Sequence, residues 1–264
     1  MIIANLATYP KRQKFLRTVV EAIAPQVDRL NLVLNEFEAV PSELLGYGNI
    51  VPILPEEDTK DVGKFYPDVS GAEYVMLFDD DILYPPDYVA KTVSRFEALG
   101  NRTAIGSYHG SIYRRPEFNN RRDRNNPGGI GMGVFGRLIE YPRELYSYKT
   151  RLADFRDVFV FYKEQHAPII VDQIASGVAI LKARDFPPYS YMAGSQKFVD
   201  VRLARWAFER GLTGVTLPRE SGWLRPLRYE ETIFNDFTEK NPEHVNVEIK
   251  TFAGRVPHAG EVLK

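Results

Sequence analysis

Apolar residues along this chain gather in short blocks of two kinds. Residues 1–8, 30–34, 50–54, 74–78 and 104–108 are brief runs dominated by Ile, Leu, Val and Phe. Runs of that length are the pattern of strands buried within a sheet. Between the first two, residues 11–24 place Phe15, Val19, Ala22 and Ile23 on one face at helical spacing, and Pro25 closes the segment. Pro85 and Pro86 break the chain after the fourth run, and residues 88–99 read as a second helix. Strand, helix and strand in alternation predict an α/β fold with a mixed, mainly parallel sheet flanked by helices. In such sheets ligands sit in the crevice beyond the carboxyl ends of the strands. The loop at residues 8–12, the loop at Asn35 and Glu36 and the aspartates at 79–81 are therefore expected to face one crevice.

The second half resumes the pattern with an apolar run at residues 178–181. A helix follows at residues 199–210, ended by Gly211, and then a strand at 215–217. Between the halves, residues 110–151 carry nine Lys and Arg against four Asp and Glu, with five glycines between 128 and 136. This segment predicts no regular element and reads as irregular or mobile. The tail from residue 235 is polar and weakly patterned, and no internal repeat is visible.

Composition narrows the class. The 264 residues are 44% hydrophobic and 26% charged with a net charge of -1, so the chain as a whole is not built to bind a polyanion. The absence of cysteine excludes disulfides, thiolate catalysis and cysteine-based zinc sites, and fits a reducing compartment. The first residues lack a basic segment ahead of a long apolar run, and no apolar run is long enough to span a bilayer. A cytoplasmic protein is expected, with contact at the inner membrane as an additional reading.

The candidate chemistry begins at Asp79, Asp80 and Asp81, directly after the run Val75-Met76-Leu77-Phe78. Adjacent carboxylates at the end of a buried strand repel one another, and no basic residue follows them closely. A divalent cation removes the repulsion, and magnesium and manganese favour one or two carboxylates together with substrate phosphates. Alternate residues of an extended chain point the same way, so Asp79 and Asp81 are expected on one side and Asp80 on the other. The competing reading is a solvated acidic turn ahead of the next helix.

A hydrophobic strand ending in Asp-x-Asp, a short loop with proline and then a helix resembles the metal site of GT-A fold glycosyltransferases. Thr8-Tyr9-Pro10-Lys11-Arg12 is similar to their nucleotide loop, and Asp61-Val62-Gly63-Lys64 to the segment that covers the nucleotide. Asn35 and Glu36 fall where that fold has a loop near the base. Ser176-Gly177-Val178-Ala179-Ile180-Leu181 resembles the acceptor-side strand of inverting members. Phe198-Val199-Asp200 with Gly211 is similar to their acidic helix start, although Val199 replaces the first acid. The ordered set runs from residue 8 to residue 211; it does not reach the tail, and the basic segment has no counterpart.

The resemblance implies a metal-dependent inverting transfer from a UDP-sugar or GDP-sugar to a glycan or glycolipid. Asp79 and Asp81 would hold Mn2+ or Mg2+, and Asp80 would touch ribose or donor sugar. Thr8, Tyr9, Pro10, Arg12, Asn35 and Lys64 would line the nucleotide pocket. Asp200 would be the general base; its competing reading is an acid that favours a helix N-terminus. His109 is a candidate beside the donor phosphates or at the acceptor, or a structural hydrogen-bonder. His258 is a candidate late ligand to the metal. Arg114, Arg115, Arg121, Arg122 and Arg124 read as a solvated loop, as a clamp on donor phosphates or an anionic acceptor carried by a glycine-hinged lid, or as a contact to a phospholipid surface. Trp223 could stack on a sugar, whereas Trp206 reads as core.

The implied organisation is one catalytic domain over residues 1–264. It comprises a nucleotide-binding half at 1–109, a basic lid at 110–170, an acceptor-side half at 171–234 and a tail at 235–264. A sugar nucleotidyltransferase and a non-catalytic nucleotide- or glycan-binding chain remain alternatives. The first usually carries a glycine-rich loop that residues 8–12 lack, and the second is favoured by Val199. Nucleic acid is not an expected partner, because the basic stretch lacks a pattern of stacking aromatics.

Overall fold

The computed structural model describes residues 1–44, 46–100, 104–113, 128–129, 156–227 and 243–263. In chain order the first half contains β1 (Ile2–Thr8), α1 (Gln13–Ile23), β2 (Arg29–Leu34), β3 (Ile50–Ile53), β4 (Tyr74–Phe78), β5 (Ile82–Leu83), α2 (Tyr88–Glu97) and β6 (Ala104–Ser107). Then come β7 (Gly110–Tyr113), β8 (Gly128–Gly129), β9 (Arg156–Phe159), β10 (Ile169–Ile170), β11 (Gln173–Ile174) and β12 (Val178–Lys182). The remaining elements are α3 (Tyr189–Met192), α4 (Val199–Arg210), β13 (Thr213–Thr216), β14 (Arg225–Pro226) and α5 (Glu243–Phe252).

Eight strands form the central sheet in the order β10-β13-β6-β12-β4-β1-β2-β3. Neighbours are parallel except around β12, which runs antiparallel to both β4 and β6, and at β10, antiparallel to β13. The apolar runs alternate between two cores, as the two-residue period of a strand requires. Tyr74, Met76 and Phe78 of β4 enter one core with Leu16, Val19 and Ile23 of α1 and Tyr88 and Phe96 of α2. Val75 and Leu77 enter the opposite core with Leu203 and Trp206 of α4. The expected mixed α/β class, a sheet flanked by helices, is thus the architecture observed.

Three local expectations change. The helix at residues 11–24 opens as a 3-10 turn, Pro10–Arg12, because Pro10 fixes its backbone and lacks an N–H to donate. Two strands of the segment expected to be irregular, β7 and β8, join β9 and β11 in a second sheet ordered β11-β7-β9-β8; the five arginines at 114–124 lie outside the described residues. The tail expected to be unpatterned contains α5, whose Val245, Ile249 and Phe252 pack on Val201 and Ala204 of α4. An Arg202–Glu248 ion pair with two short bonds joins these helices. Among the described residues no helix is long and apolar enough to cross a membrane.

Candidate functional site

A cavity of about 510 Å³ opens beyond the carboxyl ends of β1, β2 and β4, large enough for a ligand of nucleotide size. Thr8, Asn35, Asp79, Asp80 and Asp81 line it from these strand ends, and Ser176, Lys197, Val199 and Asp200 face them from the other wall. Among the described residues four that are not glycine hold a left-handed backbone: Glu36, Lys60, Lys197 and His258. The first three line the cavity. Such conformations are costly and concentrate where a site needs them.

All three aspartates of the triplet line this space. Asp80 accepts a 2.7 Å bond from the Thr8 hydroxyl, tying β4 to the end of β1. Asp79 pairs with the buried ammonium of Lys64, and Asp81 lies 3.6 Å from the Arg12 guanidinium. Compensating cations are therefore present, contrary to the expectation drawn from the residues that follow the triplet. They come from earlier loops that the sheet folds back against it. Compensation is incomplete. Burial first, then Asp79 and Asp80, push Asp81 up to about 7, against the pull of Arg12 and Lys64. Burial likewise lifts Asp80 to about 6, opposed by the Thr8 bond and Arg12.

No group of three or more His, Asp or Glu side chains among the described residues is arranged to hold a metal ion on its own. A pair of carboxylates at an open cavity nevertheless fits magnesium or manganese, which complete their shell with phosphate and water oxygens. Asp79 and Asp81 are each about two-fifths exposed, so both reach that space.

The antiparallel β12 assembles the other wall. Its register sets Val178 opposite Phe78, which brings Gly177 alongside Asp79. A Cβ on Gly177 would lie 1.9 Å from Asp79 Oδ2, so only glycine allows that carboxylate its present place. Tyr84 fixes the same junction: Asp79 N donates to its hydroxyl at 2.9 Å, and the hydroxyl donates to Gly177 O at 2.6 Å. Asp200, in the first turn of α4, accepts bonds from Ser176 N at 2.8 Å and Ser176 Oγ at 2.7 Å. Both fall on Oδ1. Burial raises its pKa, countered by those Ser176 bonds and by Lys64.

Asp61 and Lys197 also line the cavity, and the sequence reading gave neither a binding role. Asp61 accepts the Lys197 N–H with both oxygens, at 2.8 and 3.0 Å, and so holds the left-handed residue just ahead of α4. Burial lifts Asp61 to about 6. Asp61 opens the segment Asp61-Val62-Gly63-Lys64, so its charge was a signal; nothing in the sequence marks Lys197.

Of the remaining candidates, Tyr9 and Arg12 line the cavity, and so does Asn35. The Asn35 amide is already engaged: its oxygen accepts from Thr59 N and Oγ1, and its nitrogen donates to Lys60 O. Pro10 starts the 3-10 turn and is not in the lining. His109 lies outside the lining, its ring 6.0 Å from that of Phe161, and burial holds its pKa down at about 4. His258 is a correction. Its side chain is 71% exposed, pairs with Glu261 at 3.0 Å and is not among the residues around the aspartates. Trp223 donates to Asp87 and packs with Tyr88, Tyr108 and Arg95, not in the cavity.

No protein-family model matches the sequence. No curated protein matches it either. Solved structures do. One, described as a mycobacterial protein, is 14% identical and superposes with a TM-score of 0.51 over 94% of this chain and 73% of its own. Another, glucosyl-3-phosphoglycerate synthase from Mycobacterium tuberculosis in complex with uridine diphosphate, is 12% identical with a TM-score of 0.50, over 96% of this chain and 80% of its own. At such identities the likeness is one of fold, and it agrees with the mixed sheet described above.

Proposed function

We propose that this chain is a metal-dependent inverting glycosyltransferase that moves a sugar from a nucleoside-diphosphate sugar to a hydroxyl of a glycan or glycolipid. The observation that carries the reading is the cavity itself, with Asp79, Asp80 and Asp81 on one wall and half-buried Asp200 on the other. The fold likeness to a synthase bound to uridine diphosphate supports UDP-sugar ahead of GDP-sugar as donor.

In this reading Asp79 and Asp81 hold Mn2+ or Mg2+, which when bound offsets charge on the departing diphosphate. Asp80, fixed by Thr8, faces the ribose or the donor sugar. Tyr9 and Arg12 flank the nucleotide. Asp200 takes the proton from the acceptor hydroxyl as that oxygen attacks opposite the leaving group. Burial makes it a stronger base than a solvated carboxylate, and its bonds to Ser176 fix its direction. A chain that binds nucleotide without transfer is the second reading, favoured by Val199, which lines the cavity where the resemblance puts an acid.

Calorimetric titration of UDP in the presence of Mn2+ tests the first reading. Asp81→Ala should weaken binding about tenfold or more. Unchanged affinity in that variant contradicts the assignment.

A further inference from the structure

We propose that Lys64 and a divalent ion compete for Asp79, so that the ion enters the acidic cluster together with a nucleoside diphosphate and not ahead of it. This rests on the glycosyltransferase reading and adds an order of loading to it.

The argument is geometric. One carboxylate oxygen of Asp79, Oδ1, holds the Lys64 ammonium, and Oδ2 lies close against Gly177, where even a methyl group would collide with it, so the carboxylate has little room to turn. The backbone beneath is fixed through Tyr84, so the carboxylate cannot retreat by shifting its strand. Lys64 is equally confined. Its carbonyl accepts from Asn5 Nδ2 at 2.9 Å, and Asn5 is bonded in turn to Asn31 inside the sheet. The preceding Gly63 has no room for a side chain, since a Cβ there would collide with Thr59 and crowd Val33 and Ala7. The ammonium is buried with Asp79 and, at 3.3 Å, Ser176 Oγ as its neighbours.

A doubly charged ion on Asp79 must therefore displace a buried single charge whose only way out is the cavity it lines. Like charges so close in a buried site oppose each other strongly. A diphosphate in the cavity changes the balance, because it offers Lys64 a new anion at the moment it offers the ion further oxygens. Lys64 is then a placeholder: it neutralises Asp79 in the empty site and turns to phosphate in the filled one.

The test is Mn2+ titration of the full chain, followed by electron paramagnetic resonance and by calorimetry, with and without UDP. Wild type should bind Mn2+ weakly alone and about tenfold or more tighter with saturating UDP. K64M should bind Mn2+ alone about tenfold tighter than wild type, and UDP should then add little. K64R keeps the charge and should behave as wild type. K64Q keeps a donor near Ser176 and should follow K64M, which guards against a variant that merely fails to fold. Competition is overturned if K64M and K64Q bind free Mn2+ no better than wild type. It is overturned too if wild type takes up the ion equally well without UDP. If wild type shows no binding of UDP under any condition, the glycosyltransferase reading fails instead.

Discussion

The two walls of the cavity are built by different means. On one, Thr8, Asn35 and the aspartate triplet stand at the ends of neighbouring parallel strands, so the sheet alone brings them together. On the other, Ser176 precedes an antiparallel strand and Asp200 begins a helix, and contacts distant in sequence must hold them: Ser176 to Asp200, and Asp61 to Lys197. The first wall follows from topology, the second from individual polar bonds. A change in the second should therefore alter chemistry while leaving nucleotide binding in place, and a change where the walls meet should damage both.

The largest expected effect is on turnover. Asp200→Asn keeps an acceptor for Ser176 but removes the base, so release of UDP from UDP-sugars should fall about a hundredfold or more. Binding of UDP should stay as in wild type, since the strand ends are untouched. Full turnover in this variant would remove Asp200 from the mechanism. The next effect lies at the junction. Gly177→Ala forces the Asp79 carboxylate out of its place, although the substitution is on β12's side of the cleft. UDP binding with Mn2+ should weaken about tenfold, with the fold preserved by circular dichroism. Unchanged binding would mean that Asp79 does not matter where it stands.

The smallest effect is on stability. Burial lifts Asp61 and Asp80 to about 6 and Asp81 to about 7, all from 3.8. In that window the folded chain keeps protons on these carboxyls that the unfolded chain has released, so their contribution declines as pH rises toward 7; solvent screens the two-fifths exposed Asp81, and neutral His109 offsets part of the gain below about 6.5. The melting temperature should be a few degrees higher at about pH 5 than at about pH 7.5. A flat or rising profile contradicts the burial of these groups. Asp61→Asn, on the second wall, should narrow the difference.

The contrast between the walls also explains what the sequence made legible. The apolar runs at 74–78 and 178–181 and the helix face of residues 199–210 each sit on one element, so their periodicity survived into the structure. Gly211 ended its helix as read, with a left-handed backbone that glycine adopts freely. The partners of the triplet were hidden because Arg12 and Lys64 precede it by many residues and only the sheet brings them near. Lys197 was invisible because its role lies in its backbone N–H, which no side-chain pattern reports. The helix at Glu243–Phe252 escaped because its apolar residues serve a face of α4, away from the main core. His258 was singled out only by its late place in the chain, which the resemblance links to the metal, and its exposed side chain pairs with Glu261 instead.

The most direct measurement is a thermal-shift series on the wild-type chain with UDP and GDP, each with and without Mn2+. Binding to the folded chain alone raises its melting temperature. A clear rise with UDP and Mn2+ together, larger than with either alone, is the predicted result. No shift with any nucleoside diphosphate, metal present or absent, would contradict a donor site at Asp79, Asp80 and Asp81.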